Sequence, residues 1–258
     1  MDTRKWLPSL PLFGSSKCVY CGGAADTSDH TPPRCFLPRK LPTNIQLMTI
    51  PACSPCNRSF QMDELRAAAI ICAVSFTDYD RAAVAEGGWL HAAMQRDRRL
   101  RDFIDNRLQR DGMFGVDNTA ADVFSRVLIK TAVGLLFYEF GQVIAREELK
   151  IIGLEHTHNV QPDAFVELHR RVEPGWAEVT PSCRELERQV MALCGIRPRN
   201  MPRWKIHVAG FFEYMLIRRT NAKLLCAIKI HDAITVVVES RWPFRAGPLR
   251  KGKPRPRS

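Results

Sequence analysis

The chain has 258 residues, of which 45% are hydrophobic and 25% charged, a composition that excludes a wholly disordered protein. Its apolar runs are shorter than the roughly 18 residues of a membrane span. Pro8 and Pro11 also interrupt the apolar stretch near the N-terminus, so we expect a cytoplasmic protein with no membrane partner.

The net charge of +11 lies mainly at the two ends, with seven basic and no acidic side chains in 241–258. A polyanion such as nucleic acid is the favoured partner, and a merely solubilising tail is the alternative.

Nine cysteines include two C-x2-C pairs, Cys18/Cys21 and Cys53/Cys56, which are separated by the 31 residues 22–52. An odd total with this pairing favours reduced thiols and a zinc site over a disulfide framework. Four thiolates bind one tetrahedral zinc ion at about 2.3 Å and leave no open coordination position, so the predicted zinc is structural. Cys35 lies between the pairs and is either a spare ligand or, as we favour, an incidental thiol.

The segment 17–66 is predicted to form a small module around the two cysteine pairs. We predict an extended stretch over Thr27–Thr31, which the prolines Pro32-Pro33 bring to an end. A proline-rich loop follows, and then the alternating residues Ile45–Ile50 predict a strand. The second cysteine pair opens a helix that runs from about Asn57 towards Phe76.

Periodic apolar residues among many charges predict helices from about Asp78 to Leu149. Thr119-Ala-Ala-Asp122 resembles a capping box at the head of a helix that ends near Gly141. Further along, Asn221 and His231-Asp232 separate three segments rich in β-branched and aromatic residues, which predicts an antiparallel meander. These segments are Trp204–Arg218, Lys223–Ile230 and Ala233–Glu239.

Together these elements predict an α+β protein with a small zinc-stapled module followed by helices and an antiparallel sheet. The predicted organisation is an irregular segment 1–16, the module 17–66, an α+β domain 67–244 of unknown role, and a basic, disordered tail 245–258. His156 and His158 form an H-x-H pair, for which a solvent loop is favoured over a metal site.

Three polar residues of the module would lie together if zinc fastens the hairpin to the helix. The Asp29 carboxylate and the Asn57 amide can then converge on one hard cation such as Mg²⁺, which needs few protein oxygens. His30 points to the opposite face of an extended strand, and a histidine titrates near neutrality, so it can accept a proton from water. Taken alone, an Asp-His pair is more often a capped turn, and Asn57 is more often a helix N-cap.

Four motifs lie in the module, namely Cys18-x2-Cys21, Asp29-His30-Thr-Pro-Pro33, Pro51-Ala-Cys53-x2-Cys56-Asn57 and Asp63-Glu64. Together they resemble the HNH endonucleases, the ββα-metal nucleases, in the variant with a four-cysteine zinc. The arrangement is also similar to that of phage junction-resolving endonucleases. The resemblance covers about residues 17–66, a quarter of the chain.

The resemblance implies phosphodiester hydrolysis with one catalytic ion. In the family, the residues at Asp29 and Asn57 bind Mg²⁺ or Mn²⁺, and the histidine at His30 is the general base for the attacking water. The family asparagine that holds this histidine falls at Asn44. Many members carry a histidine or lysine further along the final helix as a third ligand, and here Asp63 or Glu64 would replace it or bind through water. The implied products carry 5′-phosphate and 3′-hydroxyl ends.

The predicted function is therefore that of a metal-dependent endonuclease acting on DNA, with RNA still open. Four basic residues are placed to contact the phosphate backbone, namely Arg34, Arg39, Lys40 and Arg58. One alternative is a catalytically silent, zinc-containing module or regulator that binds nucleic acid. A second is an interaction protein in which the nearly neutral region 67–240 carries the function.

Overall fold

The computed structural model describes residues 17–43, 45–75, 77–108, 115–156, 204–218, 223–241 and 243. Within them the chain is an α+β protein, as predicted, with a small two-stranded hairpin, a group of helices and a five-stranded antiparallel sheet. The predicted segments 1–16 and 245–258 lie outside the described residues, as does Asn44. None of the helices in the described part combines the length and apolar character of a bilayer-spanning segment.

The elements follow one another in three groups. The hairpin consists of β1 (Thr27–His30) and β2 (Thr49–Ala52), with a 3-10 helix at Arg34–Phe36 between them. The helices are α1 (Ser54–Ser75), α2 (Asp78–Val84), α3 (Trp89–Arg96), α4 (Arg98–Asp105) and α5 (Asn118–Phe140). The sheet strands are β3 (Leu149–His156), β4 (Lys205–Val208), β5 (Phe212–Arg218), β6 (Leu224–Ile230) and β7 (Ile234–Ser240).

The hairpin and α1 form the predicted arrangement of two strands and a helix, but the second strand is Thr49–Ala52 rather than the predicted Ile45–Ile50. β1 pairs with β2 in antiparallel register, with Asp29 opposite Ile50. The helix begins at Ser54, three residues before the predicted start at Asn57, because the Asp26 carboxylate accepts a hydrogen bond from the Ser54 N–H at 2.6 Å. It continues to Ser75 and so runs through the predicted boundary at 66/67.

The long helix α5 differs from its prediction at its start and agrees at its end. Asp117, rather than Thr119, is its N-cap, and the Asp117 carboxylate accepts from the Ala120 N–H at 2.8 Å. The predicted capping box is therefore wrong, because an aspartate two residues earlier supplies the same acceptor. Gly141 ends the helix with φ of 68°, a left-handed conformation that glycine adopts without steric cost.

The sheet has the strand order β3-β7-β6-β5-β4, and all neighbouring strands are antiparallel. The predicted meander is confirmed over β5, β6 and β7, with His231 and Asp232 at positive φ in the turn between β6 and β7. The predicted strand Trp204–Arg218 is in fact two strands, since Gly210 at φ of 74° turns the chain between β4 and β5. β3 was not predicted, and its last residue, His156, lies on a strand rather than in the predicted solvent loop; His158 lies outside the described residues.

One hydrophobic core joins the hairpin, the helices and one face of the sheet. It extends from Val19 and Ile50 in the module through α1 and α5 to Val236 in β7. α5 lies against the hairpin so closely that a Cβ atom on Gly134 would be 2.5 Å from Oγ1 of Thr31. This close approach carries the α5 side chains of one face into the neighbourhood of β1.

Candidate active site

The four paired cysteines form one cluster at the base of the ββα unit. The sulfur atoms of Cys18, Cys21, Cys53 and Cys56 all lie within 4.8 Å of one another, and those of Cys21 and Cys53 are 3.7 Å apart. Sulfurs bound at about 2.3 Å around a tetrahedral zinc are about 3.8 Å apart, so the donors and their spacing fit such an ion. The cluster can therefore hold a metal ion such as zinc.

Local backbone geometry explains why these thiols meet. Cys18 and Cys21 lie in a tight turn in which Gly22 has φ of 75°, while Cys53 follows β2 directly and Cys56 lies in the first turn of α1. Burial raises the pKa of Cys18, but hydrogen bonds from the backbone at Cys53, Tyr20 and Cys21 outweigh it and lower the pKa to about 7. A thiolate among neighbouring thiols favours a bound cation.

Cys35 is not part of this cluster. Its thiol donates to the carbonyl oxygen of Glu64 at 3.4 Å, and burial raises its pKa well above the usual value for a thiol. The structure therefore agrees with the interpretation of Cys35 as an incidental thiol.

Asp29 lies on β1 with its side chain turned inward. It is 5% exposed, and its Oδ2 atom accepts a hydrogen bond from the Tyr20 hydroxyl at 2.8 Å. The ammonium group of Lys130, from α5, lies 2.6 Å from the same oxygen. Burial and the neighbouring Asp29 charge raise the pKa of Tyr20, so its hydroxyl stays protonated and donates. Both donors lie on Oδ2, and neither occupies Oδ1.

His30 follows Asp29 on β1 and is half-buried. Within the described residues, its Nδ1 atom is buried and has no hydrogen-bond partner. Burial lowers the pKa of His30; Asp29 opposes this effect, and the cations Arg34 and Lys130 add to it. A lowered pKa favours the neutral ring, which is the form that can accept a proton.

Asn57 lies on α1 beside the strand that carries Asp29 and His30. Its Nδ2 atom donates to the carbonyl oxygen of Ser28 at 3.1 Å, which fixes the amide and leaves Oδ1 as an acceptor. An amide oxygen and a carboxylate are the donors that Mg²⁺ and Mn²⁺ take. The oxygen atoms of Asp29 and Asn57 are therefore of the kind that bind a hard divalent ion. The positive charge of Lys130 beside Asp29 opposes the binding of a second cation there.

The acidic residues of α1 that were considered as a third ligand are engaged elsewhere. Glu64 pairs with the Lys130 ammonium, and Asp63 lies 3.1 Å from Arg126 and 3.8 Å from Arg66. Burial raises the pKa of Glu64, the Lys130 charge opposes that increase, and Asp29 and Asp63 add to it. Both carboxylates therefore already have basic partners, and neither is free to bind a metal ion.

The four predicted phosphate contacts fall into two groups. The Arg34 guanidinium donates to the carbonyl oxygens of Leu37, Pro38 and Arg39 and so holds its own loop together. Three others are exposed, namely Arg39, Lys40 and Arg58. Arg39 lies over the Trp89 ring at 5.4 Å, at a cavity of about 460 Å³ that Arg96 also lines.

The sequence analysis missed the role of Lys130 and Tyr20 beside Asp29. Lys130 is the only charged residue in 127–138, a run that is otherwise mostly apolar. A single charge in an apolar helix face is a signal for a buried, paired group. Its partner, however, lies about a hundred residues earlier, and no sequence pattern identifies it.

No match was found when the chain was compared with protein-family models, with curated proteins and with solved structures.

Proposed function

We propose that the chain is a metal-dependent endonuclease of the HNH type that hydrolyses phosphodiester bonds of nucleic acid, with DNA as the expected substrate. The observation that carries this proposal is the ββα arrangement, in which Asp29 and His30 lie on β1 and Asn57 lies beside them on α1. The four-cysteine cluster fastens the same three elements together. We assign it a structural zinc ion, because four sulfur donors leave no position for a substrate.

Each residue of the proposed site has one task. His30, half-buried on β1, accepts the proton of the attacking water through its imidazole ring. Asp29 and Asn57 would hold the divalent ion, and their oxygen atoms suit it. When bound, this ion stabilises the negative charge that develops on the phosphate group. The exposed cations Arg39, Lys40 and Arg58 hold the backbone of the substrate in place.

The proposal is tested on supercoiled plasmid with Mg²⁺ or Mn²⁺, with His30→Ala as the test variant. General-base catalysis contributes about 10²- to 10⁴-fold, so we expect His30→Ala to lose at least about a hundredfold in nicking rate. His91→Ala, on α3, is the matched control and should cleave as the wild type does. Zinc content and thermal stability are measured for each variant, so that loss of the fold is recognised.

A second candidate is a nucleic-acid-binding module that does not cleave. The observation in its favour is the ion pair between Asp29 and Lys130, which already neutralises the acid that the ion would need. Band-shift assays with single-stranded and double-stranded DNA and with RNA separate the two functions. Binding by a wild type that cleaves none of these with either metal would establish the module and refute the endonuclease.

A further inference from the structure

We infer that Lys130 is a positioning residue that holds the Asp29 carboxylate for divalent-ion binding, an inference that rests on the proposed function. Its ammonium group lies 2.6 Å from Oδ2 of Asp29 and also pairs with Glu64. The Lys130 side chain is 1% exposed, so it does not contact a substrate itself. It therefore acts through Asp29.

The residues around Lys130 stabilise its buried positive charge. Burying an ammonium group is costly unless it is paired and hydrogen-bonded. Here two carboxylates pair with it, and the rings of Phe60 and Tyr20 lie 5.1 and 5.8 Å from the ammonium nitrogen. On the same helix, Gly134 lies close to Thr31 and Ile50 of the hairpin region, so α5 packs tightly there.

Stability alone does not account for this arrangement. Replacing a buried ion pair by apolar side chains of similar volume is often neutral or stabilising. What the pair supplies is a fixed orientation of the carboxylate. Lys130 and the Tyr20 hydroxyl both contact Oδ2, so Oδ1 is the oxygen that we assign to the ion. Partners of this kind orient metal-binding carboxylates in many proteins, and their loss costs about 10- to 100-fold in metal affinity or activity.

The test is Mn²⁺ binding to the full, zinc-loaded chain, followed by electron paramagnetic resonance. The Mn²⁺ signal that is lost in Asp29→Asn is the signal of the ion bound at this site. We expect Lys130→Met to weaken that binding by about 10- to 100-fold while the zinc content stays unchanged. Tyr20→Phe removes the second donor to Oδ2 and should shift Mn²⁺ affinity in the same direction by less. It also keeps the inference testable if Lys130→Met does not fold.

Lys205→Met provides a matched control outside the site. Lys205 lies 2.6 Å from Glu139, and the Tyr214 hydroxyl donates to the same carboxylate, so this group repeats the lysine, acid and tyrosine of the proposed site. Its loss should leave Mn²⁺ affinity unchanged.

The outcomes separate this inference from the proposed function. Equal Mn²⁺ binding by the wild type and Asp29→Asn would overturn both. If Asp29→Asn loses the ion while Lys130→Met and Tyr20→Phe bind it as the wild type does, or more tightly, the endonuclease proposal stands and the positioning role is refuted. Tighter binding would mean that Lys130 competes with the ion.

Discussion

The buried pair of Asp80 and His231 connects three parts of the chain through single side chains. Nδ1 of His231, in the turn between β6 and β7, lies 2.8 Å from Oδ1 of Asp80 on α2. Its Nε2 lies 2.8 Å from the carbonyl oxygen of Phe36, in the module. The ring therefore links an acceptor on α2 to an acceptor in the module. The hydroxyls of Ser75 and Thr77 complete the partners of Asp80.

Asp80→Asn is expected to lower the free energy of unfolding by about 3 to 5 kcal/mol at pH 7, because it removes the carboxylate of a buried pair and leaves the His231 ring without that acceptor. Burial raises the pKa of Asp80, but His231, Ser75 and Thr77 outweigh it and hold the pKa below its usual value. A carboxylate with a lowered pKa stabilises the fold above about pH 4 and loses that contribution as the pH falls through its folded-state pKa.

The difference between wild type and Asp80→Asn should therefore be largest near neutral pH and shrink below about pH 4. Urea unfolding at a series of pH values measures it. Asp78→Asn, two residues earlier and with its side chain 96% exposed, is the control and should leave the free energy of unfolding unchanged. A difference independent of pH would show that the Asp80 charge is not what stabilises the fold.

The sequence identified the residues of the proposed site that lie close together along the chain. The structure places Asp29 and His30 on β1 and joins Asn57 of α1 to the same strand through the Ser28 carbonyl. Lys130 was not predicted, since its distance from Asp29 depends on how α5 packs against β1. Packing between elements far apart in sequence leaves no local pattern, and a lysine in a helix is usually exposed.

At the scale of whole elements, α5 approaches the hairpin region closely at Gly134, which faces Thr31 and Ile50. In an open helix interior, Gly→Ala stabilises by about 1 kcal/mol. At Gly134 the added Cβ would lie 2.5 Å from Oγ1 and 2.8 Å from Cβ of Thr31, so we expect Gly134→Ala to destabilise by about 1 to 3 kcal/mol. Chemical denaturation measures the sign, with Ser125→Ala on α5 as the control. A more stable Gly134→Ala would mean that the two elements separate easily.

The type of each helix or strand was predicted more reliably than the residues at which it begins and ends. Alternation and turn residues indicate β5, β6 and β7, and the structure agrees. The hairpin at Gly210 was missed because the residues on both sides favour strands. β3 was missed because its pairing partner, β7, lies about eighty residues later, and a short apolar run does not separate strand from helix.

At the scale of the whole molecule, the module and the sheet share one core. Val19, Phe36 and Ile50 of the module belong to the same buried cluster as Val236 of β7. The Phe36 carbonyl accepts from His231 in the turn between β6 and β7, so a polar contact joins module and sheet too, and the Thr31 hydroxyl donates to the Thr131 carbonyl of α5 between them. We therefore expect the cysteine cluster to stabilise the sheet as well as the module that contains it.

Removal of the metal ion is expected to unfold the described core as one unit. A structural zinc contributes about 10 to 16 kcal/mol in small zinc peptides, whereas a whole domain has a net stability of about 5 to 15 kcal/mol. The free energy lost with the ion is therefore large enough to exceed the free energy of unfolding of the chain. Because the module and the sheet share one core, the sheet is expected to unfold with the module.

Cys56→Ser should lower the melting temperature and the zinc content together, while Cys72→Ala, which removes a buried thiol outside the cluster, should retain zinc. Hydrogen exchange measures the extent of unfolding, and we expect protection in α1 and in β6 and β7 to fall in parallel. Persistent protection of β6 and β7 after loss of the ion would instead show that the sheet folds independently of the module.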